Sequence, residues 1–179
     1  MTIKPNKALI TIIIFGVTFS ILYSLFNLKY FDKNQELNNH LMIRGDLNLI
    51  WQESYEFKKD FVENHKIIGA GKEYTRTFLP SKILAMFYLI FDEKFYQDYE
   101  KKIISIGGKL KFLFFQVIVF YSSLFFFYKK LVRYYENEKL SLFIVGFLAL
   151  DPNIIQWHGT FWTESIFFSI QLILLSVII

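Results

Sequence analysis

The chain has 179 residues, of which 54% are hydrophobic and 20% charged, with 22 Phe and 11 Tyr. It contains no Cys, which excludes a disulfide scaffold, a thiol nucleophile and a Cys-ligated metal site. The net charge is +4, from 20 Lys and Arg against 16 Asp and Glu. The cations sit between apolar runs rather than in one patch, so no nucleic-acid partner is expected, and a protein flanking the lipid bilayer with charge is the simpler reading. His40, His65 and His158 have no metal-ligand spacing among them.

The first apolar run covers residues 8–28 and carries no charged side chain. As a helix it is about 31 Å long, close to the hydrocarbon thickness of a bilayer. Lys4 and Lys7 precede it, as cations precede a signal peptide. The run is longer than a signal core and no small-x-small cleavage site follows, so it reads as an uncleaved anchor.

A segment of about eighty residues, 29–106, follows and holds two helical stretches. At 100° per residue, Leu47, Ile50, Trp51, Tyr55, Phe57, Phe61 and Val62 share one arc. Asn48, Gln52, Glu53, Glu56, Lys59, Asp60 and Glu63 share the other, and Leu49 is the misfit. The pattern predicts an amphipathic helix over 47–63, suited to a membrane surface. A second surface helix is predicted over 79–91, where Pro80 suits a first turn. Its apolar core, Ile83 to Phe91, is too short to span a bilayer.

Three further apolar runs are expected to span, at 107–128, 140–157 and 159–179, the second of them interrupted by Asp151-Pro152. Backbone in lipid must satisfy its own hydrogen bonds, so these are helices and not strands. The expected fold is all-α, a single multipass membrane bundle of about four transmembrane helices with two interfacial helices in its first external loop. The loop 129–139 carries Lys129, Lys130, Arg133 and Lys139, whereas 157–160 carries no cation. The positive-inside rule then puts 129–139 and the N-terminus in the cytoplasm and 29–106 outside the inner (plasma) membrane.

Few residues in this pattern can carry chemistry. Asp46 stands at the start of the first surface helix, where it reads as an N-cap, as a general base, or as both. Arg76 and Lys82 flank the start of the second, either anchoring it to lipid head groups or clamping a phosphate. Glu164 lies near the outer end of an apolar helix, where an ionisable group is costly and so a functional candidate; snorkelling at the interface is the other reading. His158 lies in the outer turn between Trp157 and Trp162 and reads foremost as a surface residue. Asp151-Pro152 reads as a helix break.

The order of these features resembles a known group. An anchor helix is followed by Gly45-Asp46 opening an amphipathic helix. Then come Arg76-Thr77-Phe78-Leu79-Pro80 with an apolar surface helix, and a hairpin carrying LALDPNIIQWHGTFWTES. This is similar to the N-terminal part of GT-C superfamily glycosyltransferases, nearest the bacterial protein-mannosyltransferase-like and aminoarabinose-transferase-like enzymes. The resemblance implies a multipass enzyme that uses a polyprenyl-phosphate sugar donor on the outer face of the membrane. It implies Asp46 as catalytic base, Arg76 with Lys82 at the donor phosphate, and Pro152 and Glu164 in place of a Pro and a Glu of the family's hairpin. Glu164 and His158 would then stand on the acceptor side. The acceptor would be a lipid, glycan or protein hydroxyl. No second acidic residue adjoins Asp46, so no cofactor is implied with certainty and a divalent metal stays open. Members of the group carry many more helices, so the chain reads as a fragment of such an enzyme.

Two functions therefore compete. One is an inverting membrane glycosyltransferase, a hexosyl- or pentosyltransferase. The other is a small non-enzymatic four-helix membrane protein, or an inactive fragment, that acts as a scaffold or assembly partner.

Overall fold

The computed structural model describes residues 6–33, 46–64, 78–91, 106–158 and 163–179. In chain order the helices are α1 (Lys7–Lys33), α2 (Asp46–Asn64), α3 (Phe78–Phe91), α4 (Ile106–Tyr135), α5 (Glu138–Leu150), α6 (Pro152–His158) and α7 (Thr163–Ile178). The described residues are all-helical, as the sequence predicts, with no strand among them. They fall into two compact units, residues 1–30 with 110–179, and residues 31–109.

Two helices, α1 and α4, are long and apolar enough to cross a membrane, over Lys7–Phe26 and Leu110–Tyr135. The start of α1 is set by Asn6, whose Oδ1 accepts from the Ala8 amide at 2.8 Å. Its buried face is a line of one Leu and small residues, Leu9, Gly16, Ser20 and Ser24. Ile14, Phe15, Leu22 and Phe26 stand exposed on the other faces. Small residues on the inner face let a neighbouring helix come close.

Helix α4 is the most enclosed of the first unit. Leu113, Val117, Phe120, Leu124 and Leu131 recur along it at helical spacing and are buried. The core they build also takes Leu9 from α1, Val145 and Ala149 from α5, Ile154 from α6 and Leu172 from α7. The shorter helices keep the same design. Ser141, Val145 and Ala149 line the buried side of α5, and Ser165, Ser169, Leu172 and Ser176 that of α7.

Four of the buried serines bond along their own helices. Ser24 donates to the Ser20 carbonyl at 2.8 Å, Ser123 to Val119 at 2.8 Å, Ser169 to Ser165 at 2.8 Å and Ser176 to Leu172 at 2.6 Å. A hydroxyl bonded to the carbonyl one turn back needs no water, which suits a helix in apolar surroundings.

The turn between α4 and α5 is shorter than expected. The sequence predicts a cytoplasmic loop over 129–139, but α4 runs on to Tyr135 and only Glu136 and Asn137 lie between the helices. Lys and Arg are good helix formers, and cations near a helix C-terminus are favourable, so the charged stretch extends the helix rather than ending it. Glu136 ends it with φ 51°, the left-handed region. Asn137 then caps α5 by accepting from the Leu140 amide at 3.1 Å. A non-glycine residue in that region carries a steric cost at Cβ. Glu136→Gly is therefore expected to stabilise the protein by up to about 1 kcal/mol, read as a rise in the unfolding midpoint in mixed micelles. A fall would mean that the Glu136 side chain contributes more than its backbone strain costs.

Candidate functional site

The second unit carries the predicted catalytic residue. Helix α2 opens at Asp46 itself, one residue earlier than the polarity pattern predicts. An acidic residue suits that place, because the first turn presents unpaired amides and the positive end of the helix dipole. What the structure describes of Asp46 is its backbone; its side chain lies outside the described residues.

Helices α2 and α3 pack against each other. Among the described side chains, Ser54 and Phe57 are the buried positions on α2, and Leu84, Ala85 and Phe87 those on α3. Phe61 and Val62, on the predicted apolar arc, are exposed. The two stretches read from the sequence as separate surface helices are thus a packed pair, and their contact, not the polarity pattern alone, selects what is buried.

Lys82 lies in this contact. It is half-buried, and its Nζ stands 5.0 Å from the centre of the Phe57 ring. That is a cation–π distance. Phe57 is eleven residues beyond Asp46, so the ammonium sits about three helical turns along α2 from the predicted base. Arg76 lies outside the described residues.

Glu164 and His158 belong to the first unit. Glu164 is half-buried in the first turn of α7, where a carboxylate is favoured by the helix dipole. His158 is the last residue of α6, and its side chain lies outside the described residues. The helix break expected at Asp151-Pro152 is present. Pro152 takes the first position of α6, and the Asp151 carboxylate accepts from the Asn153 amide at 2.8 Å and from its Nδ2 at 3.0 Å. Asp151 is thus held as a cap. Among the described residues no group of three or more His, Asp or Glu is placed to hold a metal ion.

The first unit contains two polar nodes that the sequence reading did not single out. In one, the buried Tyr121 hydroxyl of α4 donates to the Ala149 carbonyl of α5 at 2.9 Å and meets Ser20 Oγ of α1 at 3.2 Å. One hydroxyl thereby ties three helices together. In the other, Glu138 Oε1 accepts from Asn6 Nδ2 at 2.7 Å and from the Tyr128 hydroxyl at 3.0 Å. That node sets the start of α1 beside the turn between α4 and α5. The available signal for the first was the Gly16, Ser20 and Ser24 repeat at intervals of four on an otherwise bulky helix.

No family model, no curated protein and no solved structure matches this chain.

Proposed function

We propose that the chain is a membrane glycosyltransferase of the GT-C type. In this reading α1, α4, α5 with α6, and α7 cross the inner (plasma) membrane, and residues 29–106 face outward. The observation that carries it is a packed helix pair, opening at Asp46, that lies in chain order between two helices of spanning length. Further support comes from the shorter helices. At 13 residues α5 is about 20 Å long, less than the hydrocarbon thickness on its own. It nevertheless exposes Phe143 and Phe147, as α7 exposes Phe167, Val177 and Ile178. Apolar faces of that kind on every longer helix of the unit fit a lipid surround.

The reaction follows from the residues. An acceptor hydroxyl attacks the anomeric carbon of the sugar while Asp46 takes its proton. The bond from that carbon to the phosphate oxygen breaks with inversion, and the polyprenyl phosphate leaves. Arg76 and Lys82 would offset the charge that grows on the leaving oxygen. A positioned base and electrostatic stabilisation are the two contributions this chemistry needs. The test is transfer of sugar from a polyprenyl-phosphate donor in membranes carrying the chain. Transfer no greater than in membranes lacking it would overturn the reading.

A second reading, a non-enzymatic scaffold, is favoured by one observation. The Lys82 ammonium is already engaged with the Phe57 ring, as a residue that holds α2 to α3 would be.

Topology can be tested separately, because the chain is free of Cys and single probes are unambiguous. Cys at Asn38 and at His158 is expected to react with an impermeant reagent in intact cells. Cys at Tyr134, an exposed position in the last turn of α4, is expected to react only after permeabilisation. This follows from the split of cations between the two short connections. Labelling at Tyr134 alone would reverse the orientation and remove the outward-facing site.

A further inference from the structure

One end of the first unit gathers cations through a hydrogen-bonded hub. Glu138 Oε1 holds Asn6 and Tyr128 at 2.7 and 3.0 Å. Each of these three residues is followed in sequence by a lysine, namely Lys139, Lys7 and Lys129. The hub therefore sets three lysines from three helices at one end of the unit. Lys130 and Arg133 follow on α4, turned away from Tyr128 and sharing the face of the exposed Phe126. Among the described residues, five cations stand at this end against two carboxylates, Glu136 and Glu138, and the second is occupied by neutral donors. Among the described residues, Lys7, Lys130, Arg133 and Lys139 have no ion pair and no side-chain hydrogen bond.

The site lies where the apolar stretches stop. Lys7 begins that of α1, and the cations of α4 follow its last long aromatic run, Phe125 to Tyr128. The Lys129 ammonium stands over the Phe125 ring at 4.6 Å, a cation–π contact that holds it against the last turns of the apolar run. Tyr134 and Tyr135, both exposed, meet edge to face with centres 5.0 Å apart, and such amphipathic rings suit a head-group layer. The exposed Ile10 and Ile14 of α1 and Phe126 of α4 continue toward the apolar stretches. A soluble anion would use only the charges. A lipid would use the charges and this apolar surface together.

We propose that this hub binds an anionic phospholipid. The phosphate would sit at Lys130 and Arg133, with its acyl chains along Phe126 on the same face of α4, and Lys7 and Lys139 would add to the positive charge of that end. The inference rests on the membrane placement of this unit and is independent of sugar transfer.

The test uses the detergent-purified full chain and native mass spectrometry, titrating phosphatidylglycerol against phosphatidylcholine. The wild type is expected to hold phosphatidylglycerol about tenfold more tightly, since two cations at about fivefold each give about 25-fold before screening lowers it. Lys130→Gln with Arg133→Gln is expected to remove most of that preference. Lys58→Gln with Lys59→Gln, on α2, should leave it unchanged. Equal retention of the two lipids by the wild type would overturn the proposal whatever the variants do. So would a preference that survives loss of Lys130 and Arg133. Displacement of phosphatidylglycerol by millimolar inorganic phosphate would also overturn it, in favour of a soluble-anion site.

Discussion

Asp46→Asn is expected to lower sugar transfer by roughly two to four orders of magnitude while leaving the amount of protein in the membrane unchanged. Asn fills the same space and caps a helix about as well as Asp, so α2 keeps its start. What is lost is the charge that accepts the acceptor's proton. Asp46→Ala separates the two roles, because it removes both the base and the cap and is expected to cost about 1 kcal/mol of helix stability as well. The measurement is transfer from a polyprenyl-phosphate sugar in membranes, with wild type, Asn and Ala compared at equal protein. Activity in the Asn variant equal to wild type would remove Asp46 from the mechanism. It would leave a cap at the start of α2, which is what the scaffold reading requires.

The helical class of the protein was legible because the apolar runs are long and almost uncharged. No charge interrupts residues 8–28, and nothing but a helix or a closed barrel can bury such a backbone in lipid. Helix ends were less legible. The cations after Tyr128 look like a loop in a hydropathy reading, yet they extend α4 by seven residues, because charge does not break a helix and Glu136 does. The cap at Asn137, followed at once by Glu138, was a readable signal that the hydropathy pattern concealed.

Contacts between helices were not legible. Periodicity found α2, yet which of its residues are buried depends on α3, so Ser54 is enclosed and Val62 is not. Likewise Lys82 has the composition of a phosphate clamp and the neighbourhood of a packing residue, and only the α2–α3 contact reveals the Phe57 ring beneath it. Asp46 was legible as a helix start, since Gly-Asp precedes an amphipathic pattern. The Tyr121 node has partners 101 and 28 residues away, and the small-residue repeat of α1 marks a close approach without naming the partner.

That node leads to the largest expected effect on stability, at Gly16. A Cβ built there would lie 2.7 Å from Tyr121 Cε1 and 2.8 Å from the Ala149 carbonyl oxygen, and would also strike the Tyr121 hydroxyl. The ring is buried and its hydroxyl is bonded on both sides, and the Ala149 oxygen is backbone, so no flexible chain end can give way. Helices α1 and α5 must separate, or Tyr121 must leave its two partners. Overpacking of this kind costs about 1–3 kcal/mol. Each hydrogen bond lost between apolar helices adds about 0.6 kcal/mol on average. Gly16→Ala is therefore expected to destabilise by about 2–4 kcal/mol, measured by unfolding in mixed micelles. Gly146→Ala is the internal control, because a Cβ there meets only Ile12 Cδ1 at 3.5 Å, an ordinary contact. It should be neutral or slightly stabilising, since Ala favours a helix by about 1 kcal/mol over Gly. Adding Tyr121→Phe to Gly16→Ala should recover part of the loss, because it removes the clashing hydroxyl and leaves the contacts with the ring Cε1 and the Ala149 oxygen in place. The cycle would then show positive coupling between positions 16 and 121. A Gly16→Ala variant as stable as Gly146→Ala would mean that α1 does not approach Tyr121 this closely, and the three-helix node would have to be given up.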